Sequence, residues 1–233
     1  MIPTLFQQKV IDSEADIVIV AGGRGCGKKW AVLSSLKKYR TNYTRCAVFS
    51  KGNIKYINLM YQGINLDCMR PIREIKIDFV NLHQRAIYDF AGMEYGLQIF
   101  NNLHEFSENE FLYLMSRNRD GMNKSKIYAT VFPPHAPFWL KQLCSYWINK
   151  PEANGELRYF INYDGEKYIW GDSVSDVVYK IPLKNRPPFM DKLSKEDWSK
   201  IVKSITVISC DSSDNNNLPL SYKDTLIKNG GIE

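Results

Sequence analysis

The segment VAGGRGCGKKWAVLS, residues 20–34, constrains this chain more than any other. It closes a β-branched run, places glycines at 22, 23, 25 and 27, and leads into Trp30, Leu33 and Leu36 at helical spacing. Strand, glycine loop and helix in that order line up successive backbone N–H groups at a helix N-terminus, which suits a phosphate. Gly22 to Lys28 satisfies the GxxxxGK pattern, with Lys28 as the point charge for β and γ phosphates. The expected nucleotide-binding positions are Gly22, Gly23, Gly25, Cys26, Gly27, Lys28 and Lys29. Position 29 departs from the pattern. A serine or threonine hydroxyl there would ligate Mg²⁺, whereas an ammonium has three donors, no lone pair, and a charge that repels the cation. No metal ligand is therefore assigned. Arg24 inside the loop reads either as an arginine finger supplied in cis or as a solvated loop residue.

Around this loop the chain alternates strands with helices. RCAVFS (45–50), YGLQIF (95–100), KIYATVF (126–132) and SITVIS (204–209) read as buried strands. Ser107 with Glu110 forms a capping box ahead of Phe111, Leu112, Leu114 and Met115. Such alternation implies a P-loop NTPase-like α/β fold, with a mostly parallel central sheet flanked by helices and a ligand site at the carboxyl ends of the strands. LRYFINYDGEKYIWGDS is expected to add an antiparallel hairpin turning at Asp164 and Gly165, and residues 73–90 look like further hairpin material. IPLKNRPPF reads as a proline-broken connection and CDSSDNNNLPL as a polar loop.

At 233 residues and 44% hydrophobic, the chain suits one domain with a sizeable core. Its formal charge of +6 would suit a nucleic-acid partner without requiring one. Five widely spaced cysteines without a CxxC pair indicate neither a disulfide framework nor a zinc site, and fit a reducing cytosol. No stretch approaches the ~18 apolar residues of a membrane span and the N-terminus has no signal-peptide pattern, so a soluble, unexported protein without a membrane partner is expected.

Taken in order, five segments resemble the ATPase domain of bacteriophage terminase large subunits, the motors that pump DNA into preformed capsids. They are AGGRGCGKKWAVLSSL as Walker A, IFNNLHEFSENEFLYLMSRNR as Walker B with its following helix, and ATVFPPHAPFWLKQLCSYWI as the coupling segment. LRYFINYDGEKYIWGDS matches the hairpin of one terminase branch, and SITVISCDSSDNNNLPLSYKDTL the end of the domain. The likeness spans residues 1–233, with the hairpin insertion at about 155–182. It implies ATP as the nucleotide and a role in DNA packaging within the cytoplasm of an infected bacterium. The implied partners are double-stranded DNA, the portal, the small terminase subunit or other terminase subunits. Gln7 or Gln8 sits about where terminases place a glutamine that reads the adenine edge. A nuclease domain follows in full-length terminases; the expectation here is none, and no DNA cleavage.

The departures from the family pattern fall on its chemistry. Asn101 and Asn102 stand where the family has an Asp-Glu pair, the first holding Mg²⁺ through water and the second orienting the attacking water. Phe132 and Pro133, after Thr130 in the coupling segment, stand where an Asn-Pro senses the γ-phosphate. With Lys29, the metal pocket loses two carboxylates and gains an ammonium, a swing of about three charge units at close range. The reading is a terminase-like fold impaired or dead for hydrolysis. Two alternatives stand beside it: an active packaging ATPase that recruits Glu105 or Glu108, and a terminase mimic that poisons a packaging ring.

Smaller features remain open. Cys26 lies near a helix N-terminus and two lysines, which favours a reactive thiol, or is simply a small loop residue. Arg117 and Arg119 read as a basic surface for DNA or a neighbouring subunit, or as charges favoured by a helix C-terminus. His83, His104 and His135 show no ligand spacing and read as ordinary. FPPHAPFW (132–139) reads as an exposed apolar patch for a partner or as a loop packed on the core, the latter being preferred.

Overall fold

The computed structural model describes residues 2–39, 45–52, 54–66, 76–83, 85–121, 124–162, 167–182 and 192–215. Among them run the strands β1 (Ile17–Gly22), β2 (Arg45–Ser50), β3 (Lys76–Asn81), β4 (Leu97–Asn101), β5 (Lys126–Val131), β6 (Arg158–Ile161), β7 (Ile169–Gly171) and β8 (Lys203–Cys210). They form one sheet in the order β3-β2-β4-β5-β1-β8-β6-β7. From β3 to β8 every pairing is parallel, and β6 and β7 add an antiparallel margin.

The sequence of β1 explains its central place. Ile17 and Ile19 point into a core with Phe49, Phe100 and Phe111, while Val18 and Val20 enter a second core with Leu33, Leu36 and Tyr128. A strand buried on both faces needs an unbroken apolar run, which IVIV supplies. Helices α1 (Leu5–Asp12), α2 (Lys28–Tyr39) and α3 (Ile54–Leu66) cover one face; α4 (Glu108–Met115), α5 (Phe138–Leu143) and α6 (Ser145–Asn149) cover the other. On the latter side the Phe49 ring meets Phe90, Tyr95 and Phe100 at 5.3–5.9 Å, and Trp139 stacks on Phe111 at 5.6 Å. These spacings are those of favourable aromatic pairs.

Buried polar contacts fix the register where strands begin. The Asp16 carboxylate accepts from the Ser204 N–H at 2.8 Å and hydroxyl at 2.9 Å, tying the start of β1 to that of β8. Asn118 donates to the Tyr95 and Lys126 carbonyls, both at 3.1 Å, holding β4 and β5 together at their entry.

The expected capping box is formed: Ser107 Oγ accepts from the Glu110 N–H, and Glu110 accepts from the Ser107 N–H at 2.7 Å. The expected hairpin is present as the β6–β7 pair, with Phe160 opposite Trp170; Asp164 and Gly165 lie outside the described residues. Under it, Ile161, Val177, Trp198 and Val202 form a small core of their own with α7 (Val174–Lys180) and α8 (Lys195–Ile201). The proline-broken connection falls largely outside the described residues, and the polar loop is described only as far as Asn215, with Asp211 capping a turn over Ser212–Asp214.

One expectation is overturned. Within residues 73–90 the described part is not a hairpin: β3 runs parallel to β2, Arg45 opposite Lys76 and Ser50 opposite Asn81, and Ile87–Phe90 is a single 3₁₀ turn. As an edge strand β3 is only partly buried, so its mixed polarity imitates hairpin material. Among the described residues no helix is long and apolar enough to cross a membrane.

Candidate functional site

The glycine loop leaves β1 at the carboxyl edge of the sheet and enters α2 at Lys28. Gly22 faces Cys210 across the β1–β8 ladder, and a Cβ on it would lie 2.3 Å from the Cys210 carbonyl oxygen. Gly27 has φ +92°, a left-handed backbone that disfavours any side chain. A Cβ there would also lie 2.5 Å from Gln7 Nε2. Asn215 donates to the Gly25 carbonyl at 2.7 Å, so residues far apart in the chain clasp the loop.

The face of α1 separates Gln7 from Gln8. Gln7 is 2% exposed, turned inward with Phe6 and Val10, and its Oε1 accepts from the Thr4 N–H at 2.9 Å. Gln8 is exposed and bonds Asp12 at 2.7 Å, away from the loop. Of the two, only Gln7 lies against the glycine loop.

Lys28 donates to the Gly22 and Gly23 carbonyls at 2.6 and 2.5 Å and lies 3.5 Å from Cys26 Sγ. Cys26 is buried, and its thiol donates to the Gly23 carbonyl at 3.2 Å. A hydrogen bond from Cys210 and the charge of Lys28 outweigh burial and bring the Cys26 thiol down to about 7. Cys46 and Cys144, enclosed elsewhere, are pushed up to about 12 by burial.

In front of the loop lies a cleft of about 630 Å³, walled by Arg24, Lys28, Lys29, Asn102, Glu105 and His104, with Trp30, Tyr56 and Met60 at one side. Arg24 is exposed at its rim. Lys29 is half-buried with its ammonium 6.0 Å from the Tyr56 ring centroid. Burial lowers its pKa and Lys28 adds to that, against the pull of Glu105.

The end of β4 carries the two asparagines. Asn101 is 5% exposed and donates to Ser50 Oγ at 3.1 Å. Asn102 has φ +59°, a left-handed conformation that asparagine tolerates better than most residues. Its N–H donates to Thr130 Oγ1 at 2.8 Å and its side-chain amide to Glu105 Oε1 at 2.8 Å. Glu105 thus faces the cleft, whereas Glu108 accepts from the Tyr168 hydroxyl at 3.0 Å, outside the cleft lining.

This donor set does not fit a magnesium ion of the P-loop kind. Lys29 and the amide nitrogens of both asparagines offer hydrogens, and the two amide oxygens lack the charge of carboxylates. Among the described residues no group of three or more His, Cys, Asp or Glu could hold a metal.

The histidines were not legible as site residues. His104 Nδ1 accepts from the Phe132 N–H at 3.1 Å, and its ring lies 6.0 Å from that of His135; both rings line the cleft. Burial lowers the His104 pKa, Glu105 opposes this, and His135, Lys28 and Lys29 reinforce it. His104 follows β4 and His135 follows β5, so only the parallel β4–β5 pairing brings them together. His83 does not line the cleft.

Phe132 packs edge-on to His135 at 4.9 Å, between the cleft and a second cavity of about 320 Å³. Pro133 lines that second cavity with Gly22, Gly23 and Cys210. The 132–139 stretch only partly packs on the core: Trp139 does, but Phe138 is 75% exposed. Arg117 lies over the Tyr113 ring at 5.2 Å, and Arg117 and Arg119 bond Ser116 at 3.2 and 3.0 Å, so both gather at the end of α4.

Comparison with solved structures places this architecture among known folds. A crystal structure of the large terminase from a thermophilic bacteriophage matches at a TM-score of 0.57 and 12% identity, over 97% of this chain and 50% of that one. Two further crystal structures of the same terminase, one in complex with ADP, match at 0.52 and 12% identity, over 95–96% of this chain and 48% of those. The chain has a terminase-like ATPase fold. It spans about half the length of the solved terminases it matches. No family model and no curated protein matches it.

Proposed function

We propose that this chain is a terminase-like nucleotide-binding module of phage DNA packaging that binds ATP without magnesium and does not turn it over. The observation that carries the reading is the Lys29 ammonium, half-buried in the cleft between the phosphate loop and the asparagine-bearing end of β4. Lys29 replaces part of the metal's charge, and with Arg24 and Lys28 it gives a triphosphate three cations. Hydrolysis needs more than charge. Phosphoryl transfer lacks a bridging metal and a water-orienting carboxylate here, and a single arginine finger alone is worth roughly 10³ to 10⁵ in rate. The ADP complex of a solved terminase with this fold supports nucleotide as the ligand. The role that follows is one of binding, to DNA, to the portal or to other terminase subunits.

The test is thermal unfolding with ATP, with and without Mg²⁺. Saturation to about 100 times Kd stabilises by ~2.7 kcal/mol, which at ~2–4 °C per kcal/mol raises Tm by roughly 5–11 °C. The expected rise is the same in EDTA as in magnesium. A rise seen only with magnesium refutes the reading.

A second reading rests on Glu105, whose carboxylate lines the cleft beside Asn102. In that case the chain turns over ATP as isolated and Glu105→Gln abolishes it. Under the first reading the parent is silent, and Lys29→Ser with Asn101→Asp and Asn102→Glu restores turnover. The glutamate would have to adopt the left-handed backbone of position 102, at ~1–2 kcal/mol.

A further inference from the structure

We infer that Cys26 and Cys210 form a thiol pair that a peroxide closes into a disulfide, fastening the phosphate loop to the end of β8. The geometry comes from the β1–β8 ladder. Gly22 stands opposite Cys210, and the loop folds Cys26 back over the same glycine. The point where a Cβ on Gly22 would sit is 2.6 Å from Cys210 Sγ and 3.0 Å from Cys26 Sγ. The two sulfurs thus flank one small space, and only a glycine leaves it open to them. Two thiols hydrogen-bonded to each other across this space need only turn their side chains to reach the geometry of a disulfide.

Two features separate this pair from ordinary buried cysteines. The Lys28 ammonium, 3.5 Å from Cys26 Sγ, favours a thiolate there. Cys210 is partly exposed and lines the cavity of about 320 Å³, which admits a molecule the size of hydrogen peroxide to the Cys210 sulfur, with Cys26 buried behind it. The Cys210 hydrogen bond and Lys28 hold the Cys26 thiol low, whereas Cys46 and Cys144 are held high and enclosed.

The chemistry balances with one peroxide. The Cys210 sulfur, which faces the cavity, passes its proton to the Cys26 thiolate it bonds and attacks one peroxide oxygen; the O–O bond breaks, and the departing hydroxide takes a proton to leave as water. The sulfenic acid that forms is attacked by the second sulfur; its hydroxyl leaves with that thiol's proton as a second water, and the S–S bond closes. Two thiols are oxidised and one peroxide is reduced. The inference holds whether or not the loop takes a nucleotide, because its readout is the state of the thiols.

The experiment treats the reduced full chain with hydrogen peroxide, alkylates the remaining thiols under denaturing conditions, and maps peptides without reductant. Cys26 and Cys210 are expected to lose their alkylation label together. A peptide joining them appears and dithiothreitol splits it, while Cys46 and Cys144 keep their labels. Cys26→Ser and Cys210→Ser each abolish the link, and the wild-type map decides the matter should either variant fail to fold. The inference is overturned if both thiols stay alkylatable under peroxide that oxidises free glutathione. It is equally overturned if Cys26 proceeds to sulfinic acid unlinked, or if either cysteine pairs with Cys68 instead.

Discussion

Replacing Gly22 by alanine tests the loop's attachment to the sheet. The added Cβ would lie 2.3 Å from the Cys210 carbonyl oxygen, 2.6 Å from its sulfur and 3.0 Å from the Cys26 sulfur. The first contact is roughly 1 Å short of van der Waals separation. A side chain could rotate away from such a clash, but the atom struck is backbone, so β1 and β8 must part where their ladder ends. Overpacking of this kind costs ~1–3 kcal/mol, and a backbone obstacle places it in the upper half of that range. For a chain of this size ~2–3 kcal/mol corresponds to a fall in Tm of about 4–12 °C. The neighbouring glycine supplies the control. A Cβ on Gly23 meets nothing within 4 Å, and its φ is not positive. Gly23→Ala is accordingly expected to stay within ~0.5 kcal/mol of the parent. Thermal unfolding of the three proteins side by side, followed by circular dichroism, makes the comparison. If Gly22→Ala unfolds with the parent, or if both alanines cost the same, the close approach of Cys210 is not what demands a glycine.

Three further outcomes are expected. Asp16→Ala leaves the buried Ser204 N–H without its acceptor and should cost ~1–3 kcal/mol in urea unfolding, with an unchanged m-value. Burial raises the Glu110 pKa, but Lys51 and the Ser107 cap outweigh it and hold the carboxyl below 4.5. Its stabilisation is therefore full above that pH and lost as the pH falls through the depressed value, so Glu110→Gln should flatten the acid limb of a stability–pH curve. Thr130→Val removes the acceptor that pins the Asn102 N–H; hydrogen exchange at Asn102 should accelerate while the β5 core amides keep their protection.

The parts of the fold legible in the sequence are those where one physical demand acts alone. β1 is buried on both faces and followed by a turn that needs glycine, so its apolar run and the loop could be read directly. The Ser107–Glu110 box marked the start of α4 because both halves of the cap are side-chain choices. β3 escaped because a partly exposed edge strand carries no clean alternation, and nothing local distinguishes a parallel neighbour from an antiparallel one. In the site, the cations of the loop were legible, and Gln7 was separable from Gln8 only once the buried face of α1 was known. His104 and His135 belong to different strands' ends, and their meeting is a product of sheet order. Asn102 held a further layer: beyond its lack of charge, it suits a left-handed backbone that a glutamate would strain.

The bonds from Lys28 to the carbonyls of Gly22 and Gly23 occupy the ammonium that the proposed triphosphate would recruit. A phosphate that recruited this ammonium would gain only the difference between the new contacts and those surrendered. A triphosphate, with several oxygens to offer, repays the exchange; a lone inorganic phosphate does so poorly. Under the proposed function, a lysine that already has partners thus favours the longer anion.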